Sequence, residues 1–343
     1  GVDQTRGWFF TLHAIATMCF NSVAYKTVVS NGLVLDKNGN KMSKRLGNAV
    51  DPFETIAKHG ADATRWYMIS NADPWDNLKF DIGGIDEVKR KLFRTLYNTY
   101  GFFALYANID GFKWDEKKQI PHSQLTESDR WILSKLNSLQ LEVEKCLNDF
   151  DPTPACRAIE SFIDEHLSNW YVRLNRRRFW KSENSSDKQA AYETLFTCLK
   201  TVSQLMSPVA PFFSEWLFQN LCGENESVHL SVISSVNKEL IDSALEERMQ
   251  LAQDICSLVL SLRKNTNLRV RQPLQKIVIP VLNNSFKQKV DSITDLIKTE
   301  VNIKQIEFTE LSNIKKKAKL NFKAVGQKQE GKFKEQFGKY FNE

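Results

Sequence analysis

Several things are scarce in this 343-residue sequence, and each scarcity excludes something. No run approaches about 18 uncharged apolar residues, the length at which a helix becomes a candidate for spanning a bilayer, so no membrane partner is expected. Glycine (14) and proline (9) are too sparse for a collagen-like or linker-dominated design. The six cysteines, Cys19, Cys146, Cys156, Cys198, Cys222 and Cys256, are scattered, the nearest two ten positions apart. Without a Cys-x-x-Cys element a zinc knuckle is not expected. The scatter fits small, buried, reduced thiols in a cytoplasm better than a disulfide framework. The opening residues, Gly1 to Phe9, carry Asp3 and Arg6 and lack the basic-then-apolar layout of a signal peptide. The first residue is Gly and the chain opens directly into patterned sequence, so it reads as a piece of something longer.

What is present supports a large folded chain. An apolar fraction of 42%, with 22 Phe and 8 Trp, supplies ample core and rules out global disorder. The length suggests about two or three domains. Lys and Arg number 47 against 41 Asp and Glu, a net charge of +6. Nine lysines and three glutamates between Leu311 and Glu343 account for the whole excess. Such an end is either a solvated tail or a nucleic-acid arm.

The fold class expected is multidomain, in three segments. Residues 1–83 read as α/β: Thr11 to Phe20 is helix-like, and the β-branched run from Thr27 to Leu35 reads as a buried strand. Asp36 to Asn40 is turn chemistry around Asn38-Gly39, and Asp51-Pro52 opens a helix. A further helix runs from about Asp62 through Ser70. Residues 84–264 read as almost wholly helical, an all-α bundle. Within it Ile132, Leu136, Leu139, Val143 and Leu147 form one stripe, and Leu195, Cys198, Leu199, Val202 and Leu205 form another. Thr153-Pro154 reads as a helix start. Residues 265–343 read as a small α+β piece with strands near 276–282 and 301–308 and a helix over about 286–299.

Two constellations carry chemistry. Lys41-Met42-Ser43-Lys44-Arg45-Leu46-Gly47-Asn48 is a basic loop between the strand and the capped helix. Its two lysines, three apart, bring ammonium groups to one anionic point, which suits a polyphosphate gaining charge in a transition state. It is not a Walker loop, because no GxxxxGK[ST] run opens a helix here. The other is a helix on which Arg173, Arg176 and Arg177 share a face that Trp180 extends by one turn. That face either holds phosphates and stacks on bases or is a solvated surface with arginine stems over Trp170 and Trp180.

The loop Lys41-Met42-Ser43-Lys44-Arg45 resembles the KMSKS signature of the class I aminoacyl-tRNA synthetases, departing only at Arg45. Gly1-Val2-Asp3-Gln4-Thr5-Arg6-Gly7-Trp8-Phe9 resembles the GxDQxRGWF segment of the isoleucine branch of that family. Gly60-Ala61-Asp62-Ala63-Thr64-Arg65 is similar to its GADxxR. The stretches Asn169–Trp180, Met206–Phe212 and Leu268–Leu274 resemble its anticodon-binding bundle and the junction after it.

The resemblance implies the end of a Rossmann-like catalytic domain over 1–83, an anticodon-binding domain over 84–264 and a junction domain with a Lys-rich tail over 265–343. It implies a cytoplasmic, monomeric ligase that takes ATP with Mg2+, isoleucine and isoleucine tRNA, with no zinc site here. Lys44 and then Lys41 would grip the ATP phosphates as the catalytic pair, with Ser43 beside them and Asp3 accepting from the ATP ribose. Gly1, Asp3, Gln4 and Trp8 would line the amino-acid and adenylate side, Gln4 toward the carboxylate and Trp8 against the side chain. Arg173, Arg176 and Arg177 would meet tRNA. Asp62 and Arg65 would be scaffold under the loop. The family's His-Ile-Gly-His signature does not occur among His13, His59, His122, His166 and His229. The chain is therefore expected to be the C-terminal third or so of an enzyme, inactive alone. A non-catalytic tRNA-binding fragment, or a valine or leucine enzyme of the same class, are the other readings.

Overall fold

A computed structural model of the chain describes residues 1–180, 185–233, 235–281 and 283–310, except for the side chains of Val2 and Lys44. The Lys-rich end, 311–343, lies outside the described residues. By packing, the chain divides into two compact units, Gly1–Gln253 and Asp254–Glu343. None of the helices described is long and apolar enough to cross a membrane.

The first unit opens with a single 3₁₀ turn, Val2–Arg6, and α1 (Trp8–Phe20), which ends at Asn21 in the left-handed region. The run from Thr27 does not form the long buried strand expected. Only Val34–Leu35 (β1) is strand, paired in parallel with β2 (Leu78–Lys79), and Val28, Val29, Leu33 and Val34 are exposed. β2 is its sole strand partner among the described residues, so most of the β-branched side chains have nothing to be buried against. Between the strands lie α2 (Pro52–His59) and α3 (Ala61–Asn71). Asp51 starts α2, accepting from the N–H groups of Phe53 and Glu54, and Gly60, at φ 90°, ends it.

After β2 the unit is helical: α4 (Ile82–Val88), α5 (Arg94–Asp110), α6 (Glu127–Asn148), α7 (Pro152–Ser161), α8 (Arg173–Trp180), α9 (Ser186–Met206), α10 (Pro211–Cys222) and α11 (Ser243–Asn265), the last running on into the second unit. A wider π-helical spacing links α4 to α5 over Lys89–Phe93 and α7 to α8 over Phe162–Val172. A capping box of Thr126 and Asp129 starts α6. Helix α7 begins earlier than Thr153-Pro154 suggested: Asp151 precedes it and Pro152 is its first-turn proline. The Thr153 hydroxyl instead donates to the carbonyls of Ile69 at 2.7 Å and Ala72 at 3.1 Å, tying α7 to the end of α3. Helix α9 is central, buried on nearly every side, and packs against α5, α6, α7, α8 and α10, and Trp131, Ile132, Ile163, Leu167, Tyr171 and Phe179 are almost fully buried in the same bundle. Leu147, expected in the α6 stripe, is 41% exposed because the helix has by then run past the core.

In the second unit, β3 (Leu274–Val281) and β4 (Ile303–Glu310) pair in parallel from Leu274 opposite Ile303 to Val281 opposite Glu310. The single helix expected between them is two, α12 (Asn284–Ser292) and α13 (Thr294–Val301), divided at Ile293. Val301, expected in the strand, closes α13, and Asn302 at φ 52° makes the turn into β4. Arg263, 2% exposed, donates to the carbonyls of Arg269, Gln272, Val301 and Asn302, so one guanidinium fixes both loops that feed the sheet. Of the cysteines only Cys156, Cys198 and Cys256 are buried, and Cys19 is exposed on α1, contrary to the expectation for all six.

Candidate functional site

The basic loop is built on local hydrogen bonds. Asp36 starts a tight turn: its Oδ1 accepts from the N–H groups of Asn38 at 3.0 Å and Asn40 at 2.8 Å, and Gly39 sits at φ +90°. Leu35 and Lys41 then form an antiparallel bridge that brings the chain back. Across the base of the loop lies Asn48. Its Oδ1 accepts from the Ser43 N–H at 2.9 Å, while its Nδ2 donates to Asp36 Oδ2 at 3.0 Å and to the Lys41 carbonyl at 3.3 Å. The Asn48 bond, with the Asn40 N–H, holds the Asp36 carboxyl below its ordinary range. Met42 and Val50, at the two ends, pack on Ala63, Tyr67, Leu78, Phe80 and Ile85. Between these anchors a single 3₁₀ turn, Lys44–Leu46, is presented to solvent with Lys41, Arg45, Leu46 and Gly47 exposed and Ser43 half-buried. The Lys44 side chain is outside what the structure describes.

The expected ATP and amino-acid residues of the opening segment are held together, apart from the loop's own bonds. Gln4 Oε1 accepts from the Trp8 N–H at 3.0 Å, supplying an acceptor at the start of α1 that its N-cap, Gly7, cannot provide. Gln4 Nε2 donates to Asp3 Oδ2 at 3.1 Å. Gly1 and Asp3 are exposed, and Trp8 is 67% exposed. Neither Asp3 nor Gln4 bonds to Lys41 or Ser43.

Asp62 and Arg65 do something other than underlie the loop. Helix α3 does support it, through Ala63 and Tyr67, but Asp62 and Arg65 face the corner between α9 and α10. Asp62 Oδ2 accepts from the Phe213 N–H at 2.7 Å, while Oδ1 pairs with Arg65. Arg65 donates to the Val209 carbonyl at 3.0 Å and lies over the Phe212 ring. Ala210, the N-cap of α10, has no side-chain acceptor, so Asp62 caps that helix from a different element.

On α8, Arg173, Arg176, Arg177 and Trp180 are all exposed, and Arg173 lies over the Trp170 ring at 5.7 Å. The shared face expected from their spacing is present. Sequence spacing could not single out Arg178. It points inward and grips Asp129 with both terminal nitrogens, at 2.7 and 2.8 Å. Asp129 is fully buried and also accepts from the hydroxyls of Tyr171 and Thr126, both at 2.6 Å. Arg178 further donates to the Asp187 carbonyl at 2.8 Å, tying α6, α8 and α9 together. Among the described residues no group of three or more His, Cys, Asp or Glu is placed to hold a metal ion.

Comparison with known proteins shows the family. Residues 1–81 match the family described as tRNA synthetases class I (I, L, M and V), and residues 129–279 match the anticodon-binding domain of tRNA ligase. The chain belongs to the class I tRNA synthetases of that group. Within the group it is similar to isoleucine–tRNA ligases: that of Bacteroides fragilis is 56% identical over 335 residues, 96% of this chain and 29% of that protein. That of Cytophaga hutchinsonii is 57% identical over 342 residues, 98% and 31%, and that of Dehalococcoides mccartyi is 43% identical over 314 residues, 90% and 31%. The chain thus spans less than a third of the length of these relatives. A similar fold occurs in the LeuRS–tRNA–LeuAMS ternary complex of Agrobacterium radiobacter K84, with a TM-score of 0.51 and 20% identity over 68% of this chain and 27% of that one.

Proposed function

We propose that this chain is part of an isoleucine–tRNA ligase, and that it supplies the phosphate-gripping loop of the adenylation site together with the tRNA-binding bundle. In the reaction, a carboxylate oxygen of isoleucine attacks the α-phosphorus of ATP. The bond to the β-phosphate bridging oxygen breaks, isoleucyl-adenylate forms and pyrophosphate leaves. A ribose hydroxyl at the tRNA terminus then attacks the acyl carbon, AMP leaves, and the hydroxyl proton is released. No protein nucleophile is needed, so the chain contributes position and charge.

Lys44, and next to it Lys41, stabilise the charge that collects on the departing pyrophosphate, with Ser43 as a neighbouring donor. Asp3 accepts from the ribose, and Gly1, Gln4 and Trp8 flank the amino acid. Mg2+ arrives with ATP. Arg173, Arg176 and Arg177 meet the tRNA backbone, and the functional divisions fall at 83/84 and 264/265 in a monomeric, cytoplasmic enzyme.

The observation that carries this reading is the loop itself, tied at its base by Asn48, anchored at both ends on the core and turned outward between them. The test is ATP–pyrophosphate exchange in the full-length enzyme. Lys44→Ala is expected to lower kcat for exchange more than it raises the KM for ATP, because a group acting mainly in the transition state weakens turnover before ground-state binding. A change confined to KM removes that role. Exchange driven by valine or leucine in preference to isoleucine replaces the amino acid in the proposal.

A further inference from the structure

We propose that Asn48 and Asp36 are positioning residues for the phosphate-gripping loop, a two-residue latch that sets its height and fixes Ser43 and Lys41 before substrate arrives. The inference rests on the loop acting on phosphates, as proposed above. The Asn48 amide uses both of its ends. Its oxygen holds the Ser43 N–H, so the backbone leading into Lys44 is fixed, and its nitrogen reaches across to the Asp36 carboxylate and the Lys41 carbonyl. The orientation of the amide is unambiguous, because Ser43 N–H only donates and the Asp36 carboxylate only accepts. Asp36 is fixed in turn by two backbone N–H groups on its other oxygen.

Among the described atoms, the loop between Ser43 and Asn48 makes few other bonds. The Ser43 hydroxyl accepts from the Arg45 N–H at 3.2 Å and the Ser43 carbonyl from the Leu46 N–H at 3.1 Å, both within the turn itself. Gly47 takes φ +66° and has open space around it, so it redirects the chain without bracing it. Bracing therefore falls on Asn48. A lysine that acts through charge needs its backbone held to within a fraction of an ångström of the productive position, and losing that hold costs on the order of ten- to hundredfold in rate.

The test uses the full-length enzyme with three variants, Asn48→Ala, Asn48→Asp, and Asn48→Asp combined with Asp36→Asn. Asn48→Ala removes the latch. Asn48→Asp sets two carboxylates against each other where one donor is required. The double variant restores a donor facing an acceptor between positions 36 and 48 with the roles exchanged and the total charge unchanged, and leaves the longer 3.3 Å bond to the Lys41 carbonyl unmade. Pyrophosphate exchange should lose roughly ten- to hundredfold in kcat in both single variants, with the KM for isoleucine unmoved, and the double variant should recover most of the loss. Tryptic cleavage after Lys41, Lys44 and Arg45 reads the loop without reference to activity. It should quicken in the single variants and slow again in the double one. Wild-type exchange and wild-type cleavage in Asn48→Ala would overturn the latch. So would a double variant no better than Asn48→Asp, since a merely destabilised loop is not rescued by exchanging the partners. Lys44→Ala with full exchange activity would instead overturn the reading of the loop, whatever the Asn48 variants do to cleavage.

Discussion

At the scale of single residues, the run Arg176-Arg177-Arg178 shows how adjacent, chemically identical side chains come to serve opposite ends. Positions 176 and 177 face solvent, whereas 178 turns under the helix onto the buried Asp129. Burial acts to raise the Asp129 pKa, but the Arg178 hydrogen bonds, with those of Thr126 and Tyr171, outweigh it and hold the carboxyl below its ordinary range. A group whose folded pKa is depressed adds stability above the unfolded value of about 4 and loses it as pH falls through the folded value. Arg178→Ala should therefore cost about 3–5 kcal/mol at pH 7, because it leaves Asp129 charged, buried and unpaired. Arg177→Ala should cost less than about 0.5 kcal/mol, as for an ordinary surface change. In denaturant melts, the gap between Arg178→Ala and the parent should narrow as pH is lowered below 4. A pH-independent gap would mean the lost stability came from packing of the guanidinium stem and not from the charge.

At the scale of elements, sequence periodicity served the helices well, because an amphipathic stripe states both a period and a buried face. The stripe on α9 lies where its spacing put it, and so does that on α6 from Ile132 to Val143, with Leu147 alone left exposed. Apolar runs without a period were less informative: the residues from Thr27 read as a buried strand, yet a strand is buried only by what flanks it, and that cannot be seen in the run itself. The turn at Asp36–Asn40 and the cap at Asp51 were legible because both are local, side chain to nearby backbone. Asn48 was not, since its role needs Asp36 and Ser43 brought together by the turn. Asp62 is further from legibility, for it caps a helix that begins at residue 211. Asp62→Ala should cost about 1–2 kcal/mol by leaving the half-buried Phe213 N–H without its acceptor. Asp62→Asn, which keeps an acceptor, should cost less. Hydrogen exchange locates the effect: the Phe213 amide should exchange faster in Asp62→Ala, and unchanged protection there would show that the bond contributes nothing to the corner.

At the scale of the whole molecule, the charge has two parts that a binding experiment can separate. Residues 1–310 carry equal numbers of the two signs, and the net +6 comes from the lysines beyond residue 310. A lysine-rich segment of that kind adds affinity for any polyanion through counterion release, whereas Arg173, Arg176 and Arg177 stand on a helix whose inner side is fixed by Arg178 and Asp129. Both would weaken with salt, so salt dependence alone does not say which one meets tRNA. Its slope does, because each phosphate contact adds roughly 0.7–0.9 to the fall of log K with log salt concentration. Replacing all three arginines with alanine should reduce the slope by about 2–3 if each meets a phosphate, with the lysines intact. Removing residues 311–343 should lower affinity for tRNA and for unrelated RNA by similar factors, leaving the ratio between them nearly unchanged. If the arginine variant kept its slope while the truncated chain lost most of its own, the lysine-rich end would be the nucleic-acid contact and the α8 face a solvated surface.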